Sequence, residues 1–532
     1  MKKLLFFSLL LLMSNVQSQK LGIGIQESKV FKMTTPRVQN DYLLADGSGG
    51  FITISSKRSG FLANPLVFES YATRYNNQME QVQTKTFKLN KGSIKGSIKG
   101  VFVKDDFLHM INMETNNRKR YFSFKYIAGD IAKGTVQEKE FFRINHIYSK
   151  NDVNLYVNLN SLYYEKLKYY SDVNYFNPKI FIKFSKNNHF FTIIHRDFDE
   201  KVSRYFIDVF NDRFEKVYHK AIVETVPTIQ YYINDISVDD HNGDVYMVAK
   251  TYNSDPLVRI RFASKSNLDH FTVYKINDRN IKRLVVNLKK IVEDVNLVLG
   301  NKQIYALGFY RDKYINLNDI DGLMRMNIDA TDFSIVHTAY SNFNKKLVSV
   351  KFKTKKRKSK NHKIIIKKSF LLENNDIIIN AEDFYIPKLS KTKNREESIR
   401  EIVGDVFSIR VGRSGQILWS KDIYKSQVVK PRLALHSIFS AMVDGTNYVL
   451  FTDTKAKKQP KTQSFYLHDK DLQNLIGVRI GAQGALQEAT VKEHKRTKYR
   501  LMPIEGTMIG KNEAIIPAKD HQFIKFFKLT FN

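Results

Sequence analysis

Ten Lys and Arg side chains fall within the 18 residues 351–368, KFKTKKRKSKNHKIIIKK, with no acid among them. Cations at that density attract phosphate, sulfate or carboxylate polymers through summed Coulomb energy, which salt screens. Lys351, Lys353, Lys355, Lys356, Arg357, Lys358, Lys360 and Lys363 are therefore the candidate anion-binding residues. The blander account of the same run is a solvated loop on a lysine-rich chain. Further basic clusters at 455–461 and 492–500 make the charge diffuse, which argues against one dedicated nucleic-acid groove. No zinc-finger spacing or aromatic RNA-binding motif accompanies it.

Paired carboxylates are a second device, because two Asp or Glu brought together from separate strands can cleave a glycosidic bond. Asp197, Asp199 and Glu200, and Glu382 with Asp383, end or follow apolar runs and are the candidates; acids in such places more often form turns. His189 and His195 point to one side of a strand but lie about 20 Å apart at strand rise, too far to share a metal. His195, beside Arg196 and Asp197, is expected at a polar rim. In NLNDIDGLMRMNI, Asp319, Asp321 and Gly322 fall where a calcium loop needs them, but Leu317 and Ile328 replace obligatory oxygen ligands. Val238 fails the same test ahead of Asp240, Asn242 and Gly243, so both stretches read as turns. The segment GSIKGSIKG, 92–100, lacks the Lys-Ser/Thr ending of a phosphate loop and reads as a flexible turn or bulged strand. No cofactor is expected.

The absence of cysteine removes disulfides, thiolate nucleophiles, iron–sulfur clusters and Cys-liganded zinc. Against 53 Asp and Glu stand 86 Lys and Arg, a formal charge of +33. The start, MKKLLFFSLLLLMSNVQSQ, joins Lys2 and Lys3 to a ten-residue apolar run, 4–13, and a small-residue pattern ending at Ser18. Such a run is half a bilayer core in length, so residues 1–18 read as a signal peptide rather than an anchor, and the protein is expected to be exported to periplasm, cell surface or medium. Residues 19–40 form a lead-in, and 41–532 the folded repeats.

Any of these side chains must be positioned by strands, because the 38 Phe and 28 Tyr favour pleated surfaces. A polar turn followed by four to six apolar residues recurs eight times, at Asp46, Asp105, Asn187, Asn242, Asn301, Asn374, Gly445 and Lys511, with spacings between 55 and 82 residues. Behind it come hairpins: 205–222, 258–276, 323–340, 406–423 and 476–491, with weaker copies at 66–87 and 121–142. Their centres, Asn211-Asp212, Ser264-Lys265, Asp329-Ala330, Ser414-Gly415 and Gln483-Gly484, are expected to supply the reversal. One buried strand, a hairpin and room for a fourth strand make a propeller blade, whose exposed faces must be covered by neighbouring blades. The closing strand, 523–532, has no hairpin after it and can complete a blade begun by the N-terminal residues.

The expected fold is thus an all-β propeller of about eight four-stranded blades, with seven or nine blades or two β domains as alternatives. An outer-membrane barrel fits less well, because Lys and Arg interrupt most strands. The repeated turn, apolar strand and hairpin resemble those of secreted β-propeller repeat proteins of the Bacteroidota. That resemblance implies an exported binding scaffold, with no catalytic residues to carry over. Trp419, in SGQILW, resembles the docking tryptophan of quinoprotein propellers, but a single copy points to packing rather than to a quinone enzyme. The expected role is a binding or assembly scaffold whose basic surface attracts an anionic glycan, lipid or protein of the cell envelope. A carbohydrate-active hydrolase or lyase is the alternative.

Overall fold

The computed structural model describes residues 21–33, 38–59, 66–88, 94–116, 121–130, 135–145, 180–197, 202–226, 231–252, 270–292, 294–312, 320–347, 362–385, 401–425, 427–429, 437–454, 473–493, 499–520 and 523–532. Within them the chain forms eight antiparallel sheets, each with a four-strand path, which are the blades of a β-propeller. The helical exception among the described residues is one turn, Pro503–Glu505. Blades 1 to 7 occupy residues 38–88, 94–145, 180–224, 231–287, 291–347, 362–429 and 439–492, and blade 8 joins 500–531 to 23–32. Separate sheets of this kind replace the single continuous sheet of a barrel. The signal segment 1–18 lies outside the described residues.

All eight sequence echoes are the second strands of their blades. These strands are covered on both faces and so read as nearly unbroken apolar runs: every residue of Val245–Thr251 is buried. Fourth strands alternate instead, as in Gln81–Lys88 and Ile417–Ile423, because one face meets solvent.

The chain divides into two units, residues 1–160, 382–407 and 421–532, and residues 161–381 and 408–420, the boundary falling within the blade 6 sequence. In the first unit, Ile52, Ile54 and Ala72 of blade 1 pack on Ile98 and Met110 of blade 2, and Tyr448 and Leu450 of blade 7 on Phe527 and Leu529 of blade 8. Phe51 and Tyr75 stack with ring centres 4.7 Å apart, and Phe526 of blade 8 meets both edge-on. In the second unit, Ile207 and Val209 of blade 3 pack on Val245 and Met247 of blade 4, and Val248 and Val273 of blade 4 on Ile304 and Met326 of blade 5. Face-to-face burial between successive blades is what a lone blade lacks.

Blade 8 is built from both ends of the chain, as its hairpin-less last strand implies. Strand Ile23–Glu27 lies antiparallel to Phe523–Phe531, with Ile23 opposite Phe531 and Glu27 opposite Phe527. The Asn532 N–H donates to the Gly22 carbonyl at 2.7 Å. Gly22 has φ of 66°, and a Cβ there would stand 2.5 Å from the Asn532 carbonyl oxygen, so glycine is required.

The third-to-fourth-strand turns repeat in five blades. At 76–80, 211–215, 412–416, 481–485 and, one residue longer, 329–334, the first N–H donates to the last carbonyl. The left-handed residue is Met79, Phe214, Gly415, Gly484 or Phe333, with φ between 59° and 91°. Thus Asn211 and Asp329, expected to supply the reversal, cap it: their side-chain oxygens accept N–H groups two to four residues on. The strain of a left-handed Phe or Met is offset by burying its side chain, of which at most 7% is exposed at Met79, Phe214 and Phe333.

Two expectations need correction. The blade 4 hairpin is His270–Ile276 with Ile281–Asn287 about Asn277, not 258–276, whose first half and Ser264-Lys265 centre lie outside the described residues. Asp321 and Gly322 are not a turn but part of strand Ile320–Asp329, where the register shifts between Ile320 and Gly322. A Cβ on Gly322 would stand 2.2 Å from the Ser341 carbonyl oxygen. The bulged-strand reading of 92–100 holds, with a shift between Ile98 and Gly100, as does the turn at Asp240, Asn242 and Gly243, capped by the Asp239 carboxylate.

Candidate anion-binding site

First strands run along the inner edge of their blades. In the second unit Ile180–Phe184, Tyr231–Val238, Asn296–Leu299 and His362–Leu371 each lie against the next. The basic run reaches this edge at its C-terminal end: Lys363, Lys367 and Lys368 are in strand His362–Leu371 of blade 6. Lys351, Lys353, Lys355, Lys356, Arg357, Lys358 and Lys360 lie outside the described residues, as does the side chain of Lys363.

Lys368 is exposed, yet surrounding protein displaces water from its ammonium. Lys183 and Lys186 add repulsion, and together these hold Lys368 below the ordinary lysine range. Half-buried Lys183 is the penultimate residue of the first strand of blade 3, Ile180–Phe184, and exposed Lys186 occupies the turn after it. Ser185 N–H closes that turn on the Phe190 carbonyl at 2.9 Å. Lysines from blades 3 and 6, with two blades between them in the chain, thus act on one another at the inner edge. Among the described residues none of the three is ion-paired. Phe370, two residues beyond Lys368 and on the same face of the strand, has its ring centre 5.9 Å from the Lys368 ammonium. Like charges without a counter-charge are destabilising until an anion joins them.

Elsewhere one acid–base pairing recurs. In four blades an acid before or at the start of the second strand pairs with a cation on the third: Asp46 with Arg74 at 3.0 Å, Asp244 with Lys275 at 3.4 Å, Asp376 with Arg410 at 2.6 Å and Glu513 with Lys528 at 2.9 Å. Sequence reading missed this repeat because its partners are separated by a whole strand. The one trace is an acid recurring beside the second-strand echo.

Among the described residues the candidate carboxylates each have partners of their own. Glu382 and Asp383 lie inside strand Ile377–Tyr385 rather than at its end, 0% and 3% exposed. Both oxygens of Glu382 are engaged, one by Lys425 and one by the Ser437 hydroxyl, and Lys425 is itself fully buried. Such a pair fixes structure and leaves no lone pair facing a substrate. Asp197 faces Arg204 at 3.8 Å, while Asp199 and Glu200 lie outside the described residues. Trp419 is half-buried on the fourth strand of blade 6.

His189 and His195 have separate partners, as their spacing requires. His189 Nδ1 lies 3.4 Å from the Asp240 carbonyl oxygen, and the His195 ring stacks on Phe206 at 5.0 Å. His195 Nε2 also stands 3.7 Å from Asp208, longer than an ordinary hydrogen bond. Asp208, which sequence reading passed over, is 1% exposed in the middle of blade 3 and meets Lys216 at 2.8 Å and His219 at 3.0 Å. Burial alone would raise its carboxyl, but His195, Lys216 and His219 outweigh burial and hold it below the usual carboxylate range. An acid among the apolar residues of FIDVF was its only signal. Among the described residues no three His, Asp or Glu are grouped to hold a metal ion, and no helix is long and apolar enough to cross a membrane.

No protein-family model matches the chain, and no curated protein is similar to it. Solved structures that match the chain are distantly similar to it. A cobalt-substituted apocarotenoid oxygenase from Synechocystis is 11% identical, over 89% of this chain and 95% of its own, with a TM-score of 0.34. The β-propeller domain of the Trilobed protease from Pyrococcus furiosus, described as having an open velcro topology, is 10% identical over 89% and 97%, with a TM-score of 0.34. The polysaccharide lyase Uly1 is 9% identical over 82% and 90%, with a TM-score of 0.35.

Proposed function

We propose that this protein is an exported β-propeller scaffold that binds an anionic partner of the cell envelope, periplasmic or at the cell surface. The observation that carries the reading is the basic character of the chain, 86 Lys and Arg against 53 Asp and Glu, with ten of the cations within residues 351–368 and no acid among them. A formal charge of +33 draws anions toward the molecule from a distance. Export rests on the basic, apolar and small-residue pattern of residues 1–18. The hydrolase alternative loses its best candidates, since Glu382 is spent on Lys425 and Ser437.

A salt titration tests the reading. Retention of the protein on an immobilised anionic polysaccharide should fall by ~10-fold or more between low and high salt. Retention that ignores salt, or no retention at low salt, would remove electrostatic capture from the account.

A further inference from the structure

We infer that Asp208 and His219 of blade 3 form an acid–base dyad that hydrolyses short-chain carboxylic esters, with Lys216 beside the ester carbonyl. The inference is independent of anion capture and adds a chemical activity to the scaffold.

The fourth strand of blade 3, Lys216–Glu224, carries one extra residue, and that residue builds the dyad. Val209 faces Tyr218 and Phe210 faces Lys216, so Val217 is left without a partner in the register. In a regular strand residues 216 and 219 would point to opposite faces of the sheet. The bulge re-aims Lys216, and both side chains reach one carboxylate. Lys216 Nζ stands 2.8 Å and His219 Nδ1 3.0 Å from Asp208 Oδ1.

The same bulge occurs in blades 1 and 5, at Val82 and Val336. There the positions that match Asp208 and His219 hold Thr73 with Thr84, and Met326 with Thr338. A blade therefore forms without an acid or an imidazole at this place. An acid only 1% exposed is costly to bury, and the fold does not call for one.

Held ionised by Lys216, the Asp208 carboxylate can only accept, so His219 donates from Nδ1. In the neutral ring the lone pair is then fixed on Nε2. The His219 side chain is 49% exposed, and among the described residues Nε2 has no partner. A buried carboxylate that orients an imidazole in this way prepares it to act as a base. Tyr218 and Ile222 are buried on the opposite face, while Ala221 and Val223 follow His219 and are exposed, giving an acyl chain an apolar seat.

Water is the nucleophile. Nε2 takes a proton from it as the water oxygen bonds to the ester carbon, and the carbonyl electron pair moves onto oxygen beside the Lys216 ammonium. When that pair returns, the bond to the alkoxide breaks and the alkoxide takes the proton from Nε2. One water and one ester give one carboxylic acid and one alcohol. Amines leave less readily than alcohols, so esters rather than amides match a single base.

Glycerol triacetate is a soluble short-chain ester, and its acetate release by the full chain can be followed by NMR. Wild type should exceed His219→Gln by ~100-fold or more, the usual span of a positioned base. Free imidazole should restore part of the activity of His219→Gly. Asp208 is a positioning residue, so Asp208→Asn should lower kcat by ~10-fold or more and leave KM unchanged. Lys216→Met should also lower kcat, and Lys216→Arg should retain most of it. Thr73→Val, at the matching place in blade 1, should leave the rate as it is. Equal acetate release by wild type and His219→Gln, a wild-type kcat for Asp208→Asn, or no rescue by imidazole overturns the inference.

Discussion

At the scale of single residues, charge decides where this chain is rigid and where it is open. Asp208 is ringed by His195, Lys216 and His219, and its carboxyl is held below the usual range of about 3.9. A carboxylate depressed in this way contributes stability that is whole above the unfolded value and disappears as pH falls through the folded one. Melting temperatures of wild type and Asp208→Asn should therefore differ near neutral pH and converge as the pH falls below the usual carboxylate range. A gap that stays constant with pH would show that shape, not charge, matters there. The two carboxylates at 382 and 383 looked like strand-end acids because the apolar run before them, IIINA, is short. The strand continues past them to Tyr385, which only the coordinates reveal. In the same way, the charge at Lys368 was legible in the sequence, but its neighbours, about 180 residues earlier, were not.

At the scale of elements, one guanidinium joins blade 5 to blade 6. Arg325, on the third strand of blade 5, is fully buried and donates to the Asn375 carbonyl at 2.9 Å, the Gly412 carbonyl at 2.9 Å and the Asn327 side chain at 2.9 Å. Tyr305 covers its planar face at 4.6 Å. Burial pulls its pKa below the usual arginine value, since no carboxylate touches it to compensate. Arg325→Met leaves two turn carbonyls without their donor and should cost ~2–4 kcal/mol, read as a lower urea midpoint. Arg325→Lys should recover little, because an ammonium cannot reach several carbonyls in one plane. A midpoint within error of wild type for Arg325→Met would show that packing alone docks these blades. Second strands were legible throughout, being apolar on both faces. First strands such as IFIKF, and alternating fourth strands, carry a weaker pattern. Arginine in an apolar strand, LMRMNI, gave no hint of where its donors would go.

At the scale of the whole molecule, eight copies of one four-strand pattern account for the fold. The count follows from the echoes because each blade has one second strand, written as an apolar run after a polar turn. The copy built from the two chain ends has a distinct vulnerability. Removing residues 21–32 would bare the outer edge of Phe523–Phe531, whose N–H and C=O groups now pair with Ile23–Glu27. An uncovered edge templates pairing with another chain, so the truncated protein should self-associate in light scattering while the full chain does not. Restoring the segment as a free peptide should reverse this; failure to do so would mean that the strand acts elsewhere. The same pairing sets a clock on synthesis. Ile23 emerges from the ribosome 508 residues before its partner Phe531, a wait of ~25–100 s at ordinary elongation rates. Strand Ile23–Glu27 must therefore stay uncommitted until its partner has been made, and any helper that shields nascent chains has that interval in which to act.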